Sequence, residues 1–144
     1  MGKLKPLSGE RVFSRYAMTN RNAEIIKRII ARNADEKKAL IERRSRLQET
    51  GVSMAETIIS AFPEVERVWG FGSTYETWRN FRIDSDIDLA VEHGDLLKIY
   101  ALVEREAPEG TKVDLLDMES ADAFFVEMIK KNGTVLAVSD EGKR

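Results

Sequence analysis

The feature that most constrains this chain is the run Asp86-Ile87-Asp88-Leu89-Ala90-Val91, in which acids and aliphatic residues alternate before the run turns wholly apolar. Strand side chains alternate faces, so Ile87, Leu89 and Val91 share one face and Asp86, Asp88 and Ala90 the other. The aliphatic face goes to a core, and the two carboxylates then project together at one end of a sheet. Upstream, Gly72-Ser73 follows a first strand-like run, Val65 to Gly70, and reads as a strand-to-helix turn. A third acid, Asp114, lies in a further strand-like run from Lys112 to Asp117.

Two carboxylates on one strand face repel each other and raise each other's pKa unless a cation relieves them. Mg²⁺ suits that position, because it prefers oxygen ligands and takes one or two carboxylates together with substrate phosphates. The Gly72-Ser73 turn offers backbone N–H groups, a hydroxyl and the start of a short helix, expected over Ser73 to Arg79, to a triphosphate. Asp114 on a neighbouring strand completes the acidic set and is placed to accept a proton from an attacking hydroxyl. Two metals roughly 4 Å apart would steady the attacking and leaving oxygens of an in-line phosphoryl transfer. Arg82 is the expected nucleotide contact from the loop, with Arg79 a second candidate and an exposed-loop role the plain alternative for both. Trp78 and Phe81 either stack on a base or pack the loop down. A calcium loop beginning at Asp84 is disfavoured, since its sixth position, where glycine is required, is Leu89. Asp117 falls on the face opposite Asp114 and reads as a surface or capping residue. His93, the only histidine, reads as a surface residue.

The rest of the chain supplies the frame. Residues 1–19 form a flexible lead-in, 20–50 a basic helical extension and 51–144 the remaining domain. Apolar residues recur at helical spacing from Ile25 to Leu47. Gly51 is the expected stop, and Ser53 with Glu56 is a capping box that opens a second helix. Two further helices are expected. One runs from Asp95 to Arg105, with Leu96, Leu97, Tyr100 and Val103 on one side. The other runs from Ala121 to Lys131, with Phe124, Phe125, Met128 and Ile129 inward. Thr134 to Val138 would add an edge strand. The fold class is α/β (α+β), a small mixed sheet with flanking helices behind an N-terminal helical extension.

Composition excludes several classes. There is no cysteine, which removes disulfides and thiolate metal sites. No long apolar window suggests a membrane span or a secretory leader, in keeping with a cytoplasmic protein. Charge is divided unevenly. Residues 1–50 carry 13 Lys and Arg against 6 Asp and Glu, a net of +7, whereas residues 51–144 carry 10 against 19, a net of −9. A basic arm on an acidic body points to an arm that meets something anionic, or to a solvated helix face. Direct nucleic-acid binding is left open.

Taken together, Gly72-Ser73, Ser85-Asp86-Ile87-Asp88-Leu89 and Val113-Asp114-Leu115-Leu116-Asp117 resemble a minimal nucleotidyltransferase of the polymerase-β-like superfamily. The resemblance spans about residues 54–138 and includes the ending Asn132-Gly133-Thr134-Val135-Leu136. It implies a polymerase-β-like core in which Asp86, Asp88 and Asp114 hold two Mg²⁺ ions and carry catalysis, while Gly72 and Ser73 cradle the phosphates of ATP. It also implies the antitoxin type that works with a helical HEPN-type toxin and adenylylates one of its tyrosines, with homo-oligomerisation through the N-terminal helix a further expectation. The sequence departs from the family in two ways. The spacer Thr74 to Ser85 has twelve residues where ten are usual, and Tyr75-Glu76-Thr77-Trp78 stands where Ala-Arg-Gly is usual. A strict ten-residue spacer would select Asp84 and Asp86 instead; Asp86 and Asp88 are preferred because Leu89-Ala90-Val91 continues them as a buried strand. The alternatives are transfer to a small aminoglycoside-like molecule, and a catalytically inactive nucleotide- or partner-binding module.

Overall fold

The computed structural model describes residues 20–140; the lead-in 1–19 lies outside them, as does the tail beyond 140. Helix α1 spans Asn20–Ala61 without interruption. It is followed by β1 (Arg67–Phe71), β2 (Ile87–Glu92), α2 (Leu96–Glu106), β3 (Val113–Asp117), α3 (Ala123–Asn132) and β4 (Thr134–Val138). Residues up to Ala39 form one unit and those from Leu40 onward a second. In the first unit the described segment is helical and charged. Its Ile25, Ile26, Ile29 and Ile30 are exposed, with ion pairs Lys27–Glu24 and Arg32–Glu36 along its surface.

The second unit is built on a four-stranded mixed sheet of order β3-β2-β1-β4. β1 runs antiparallel to both β2 and β4, and β2 pairs parallel with β3. The parallel pair needs a crossover, which α2 supplies. Asp95 caps α2 by accepting from the Leu97 and Lys98 N–H groups, and Asp122 caps α3 in the same way through Phe124 and Phe125. The expected edge strand Thr134 to Val138 is present as β4.

The two faces of β2 separate as its alternation requires. Ile87, Leu89 and Val91 are buried with Leu47, Met54 and Ile58 of α1 and Ile99, Leu102 and Val103 of α2. Ala90 lies in a second, smaller cluster with Met118 and Ile129, flanked by Trp69, Phe71 and Val126. Asp88 stands on this second face, beside Phe71 in the register of β1 and β2.

Three expectations are corrected. Gly51 does not stop a helix, and Ser53 does not open one. α1 passes through both, because Gly51 is a notch: a Cβ there would stand 1.8 Å from the Tyr75 Oη, whose hydroxyl donates to the Gln48 carbonyl at 2.8 Å. No helix forms over 73–79, which is a series of turns. Finally, Phe124, Phe125 and Met128 on α3, and Leu97 and Tyr100 on α2, are exposed rather than inward. On α3 only Ile129 is fully buried, since the face it covers is the small second cluster.

Candidate active site

The site grows from the register of β2 and β3. Asp88 and Asp114 are direct lateral neighbours in the parallel pair, so both carboxylates leave the sheet on one face. Asp86 lies one residue before β2. The Lys112 ammonium sits between the acids, 3.8 Å from Asp86 Oδ2 and 3.9 Å from Asp114 Oδ1. Burial pushes the Asp88 carboxyl up to about 6, and the charges of Asp114, Asp86 and Glu76 add to the rise while Lys112 opposes it.

Among the described residues, no three acidic or imidazole groups converge as a finished metal cage. The donor set nonetheless fits a divalent cation. Asp88 and Asp114 stand side by side, Asp86 lies one residue before β2, and a lysine ammonium already sits between Asp86 and Asp114 as their counter-charge. The chain passes close to them at Gly72, which has φ +72° and lies so near Asp88 that a Cβ would be 2.2 Å from its Oδ2. Only glycine suits that position, for both conformation and space.

The Gly72–Glu76 turn is closed by the Glu76 N–H donating to the Gly72 carbonyl at 2.8 Å. Ser73 Oγ donates to Ser85 Oγ at 3.1 Å, which ties the start of the loop to its end. Thr74 is fully buried, and its hydroxyl donates to the Asp86 carbonyl at 2.6 Å. α1 holds the loop from outside. Arg44 donates to the carbonyls of Ser73, Glu76 and Arg79, Arg43 donates to that of Ser85, and Gln48 donates to that of Thr74. Phe81 is buried beneath Arg44, whose guanidinium lies 5.2 Å from the ring centroid, so Phe81 packs the loop down. Sequence reasoning did not find Arg43, Arg44, Gln48 or Glu76. The signal of the first three, polar residues spaced along one side of a helix far from the loop, is indistinguishable from a solvated face.

Two hollows flank Asp88. One, of about 520 Å³, is walled by Gly72, Ser73, Trp78, Arg79, Arg82 and Ser85; the other, of about 240 Å³, lies between Phe71, Gly72 and Arg79 on one side and Phe125 and Met128 on the other. A hollow of about 580 Å³ between the end of α2 and the Pro108–Val113 segment shares only Lys112 with the acidic cluster. Asp84 is exposed and paired with Arg82 at 3.5 Å. Asp117 accepts from the Glu119 N–H and the Ser120 hydroxyl, a capping role. His93 is exposed beyond the far end of β2, between Glu66 and Glu119.

Comparison with known proteins identifies a family. The sequence pattern of the family described as "Polymerase beta, Nucleotidyltransferase" matches residues 54–142. No curated protein matches the chain. Among solved structures, a presumed nucleotidyltransferase from Sulfolobus solfataricus is similar at 20% identity and a TM-score of 0.49, over 72% of this chain and 90% of that one. A toxin–antitoxin structure with AMP-PNP is similar at 20% identity and 0.47, over 65% and 75%. A complex of tri-AMPylated Shewanella oneidensis HEPN toxin with MNT antitoxin is similar at 20% and 0.43, over 67% and 76%. The family pattern covers the glycine-serine turn, both acid-bearing strands and the final edge strand, and the chain belongs to the polymerase β nucleotidyltransferase family.

Proposed function

We propose that this chain transfers a nucleoside monophosphate from a triphosphate, with ATP as donor, to a hydroxyl, and that the acceptor is a tyrosine of a helical HEPN-type toxin for which it is the antitoxin. The observation that carries the transfer reading is the lateral pairing of Asp88 with Asp114 beside the Gly72-Ser73 turn. The donor and acceptor assignments rest on the motif resemblance. Asp86 and Asp88 would hold two Mg²⁺ ions with help from Asp114. Bound there, the metals supply charge neutralisation for the phosphates and the leaving pyrophosphate.

The chain's own groups do the rest. Gly72 brings the backbone to the acids without a side chain, and Ser73 lines the larger of the two hollows beside Asp88. Asp114, more exposed than Asp88, would take the proton of the incoming hydroxyl. Lys112 limits the repulsion among the acids before any metal arrives.

The test is incubation of the chain with ATP labelled at the α-phosphate, Mg²⁺ and a candidate helical HEPN-type partner. Label on a partner tyrosine, with pyrophosphate released in equal amount, is the expected result. Triphosphate binding with no label passing to the partner or to a panel of hydroxylated small molecules would contradict transfer and leave a binding module.

A further inference from the structure

The loop between the turn and β2 contains a buried carboxylate that the reaction above does not use. Glu76 is 5% exposed, and its Oε2 accepts from the Gly72 N–H at 2.5 Å and from Arg79 Nε at 3.1 Å. A buried carboxylate persists only where hydrogen bonds and a counter-charge offset its lost hydration. The Gly72 amide and Arg79 supply both.

The same pair fixes Arg79. Its guanidinium is held by Glu76 at the Nε edge and lies over the Trp78 ring at 4.7 Å from the centroid. Among the described residues its Nη atoms meet no hydrogen-bond partner. A guanidinium is planar and carries five donors, so holding Nε and one face leaves the Nη pair free for a bidentate acceptor. Arg79 is also on the wall of both hollows that flank Asp88, together with Gly72. Arg82, the loop arginine favoured on sequence, pairs instead with Asp84 in an exposed ion pair.

We propose that Arg79, set in place by Glu76 and Trp78, is the guanidinium that pairs with the triphosphate oxygens; this rests on the nucleotidyl-transfer reading and names the residue that receives the phosphates. Glu76 acts through Arg79 and is a positioning residue. The lengthened loop thus delivers a cation to the phosphates three residues after the buried acid that orients it.

The test is calorimetric binding to the full chain of inorganic tripolyphosphate and of a non-hydrolysable ATP analogue, each with Mg²⁺, and of adenosine as a phosphate-free probe. Arg79→Met is expected to weaken both phosphate probes by about tenfold to a hundredfold, the range for a charge-assisted contact, and to leave adenosine unchanged. Arg79→Lys recovers part of the loss, since it keeps the charge without the fork. Glu76→Gln weakens the phosphate probes less. The Glu76→Gln, Arg79→Met double variant is no weaker than Arg79→Met alone, as expected of a residue acting through another. Arg105→Ala, on the exposed end of α2, binds like the wild type. Thermal melts on every variant separate lost binding from lost fold. Wild-type affinity of Arg79→Met for tripolyphosphate, or an equal loss of adenosine, overturns the assignment of Arg79 alone. Failure of the wild type to bind either phosphate probe overturns the transfer reading with it.

Discussion

Asp88 sits where burial and three neighbouring acids all oppose its charge. In the metal-free protein it therefore keeps its proton up to about 6, against an ordinary value of 3.8. Its folded pKa is raised above the unfolded one, so its contribution to stability is present below about 4 and is lost as pH rises through about 6. Between those limits the metal-free wild type is expected to lose stability relative to Asp88→Asn as pH increases. Denaturant midpoints of the two proteins at pH 4.5 and 7.5 check this; a gap that stays constant would contradict the placement of Asp88. At Gly51 the constraint is steric. Gly51→Ala drives a methyl into the Tyr75 ring and is expected to cost about 1–3 kcal/mol, the range for overpacking. Combining it with Tyr75→Ala should lose less than the two separate losses together, as read by urea denaturation.

At the level of elements, α1 is the outer wall of the site. Arg44 alone donates to three carbonyls of the loop, at Ser73, Glu76 and Arg79. Arg44→Ala is expected to cost about 1–3 kcal/mol, as for buried acceptors left without a donor. It should also speed amide hydrogen exchange across residues 73–85 more than in β2. Uniform exchange across both segments would mean that α1 does not hold the loop. The strand at Asp86 to Val91 and its buried face were legible because alternation is local: six consecutive residues state which face is buried. The register that sets Asp88 beside Asp114 was not, because it belongs to two strands together. Continuity of α1 was not, because the group that explains Gly51 is Tyr75, which belongs to a different element. Phe124 and Phe125 show the same limit. Helical spacing marks an apolar side of α3, but only Ile129 is buried in the small cluster beneath it, with Val126 packed against that cluster. Glu76 could have been suspected from an acid three residues before Arg79 and directly after the glycine-serine turn. Its burial depends on tertiary packing that the spacing does not encode.

For the whole molecule, the division of charge and the division into units do not coincide. The basic segment extends to residue 50, whereas the unit that carries the sheet begins at Leu40 and includes Arg43, Arg44, Leu47 and Gln48. Removal of residues 1–39 is expected to leave cooperative unfolding of the sheet unit intact. Removal of residues 1–50 should lower its melting temperature by several degrees, since buried Leu47 and the loop-holding side chains go with it. Equal melting of the two truncated chains would contradict that boundary. We expect oligomerisation or partner docking to reside in residues 20–39, with their exposed isoleucines. Unchanged oligomeric state and partner binding after the shorter truncation would rule this out.

The central claim is that Asp88 and Asp114, paired across β2 and β3, form with Asp86 the reacting end of a nucleotidyl-transfer site. The most direct test is transfer of labelled nucleotide from ATP to the partner by Asp88→Asn, Asp114→Asn and Asp84→Asn, side by side with the wild type. Each of the first two is expected to lose activity by on the order of 100-fold or more while remaining folded. Asp84→Asn, changed at an exposed loop position, should stay close to wild type. Loss in Asp84→Asn with activity retained in Asp88→Asn would contradict the account and move the site to the other pair of acids.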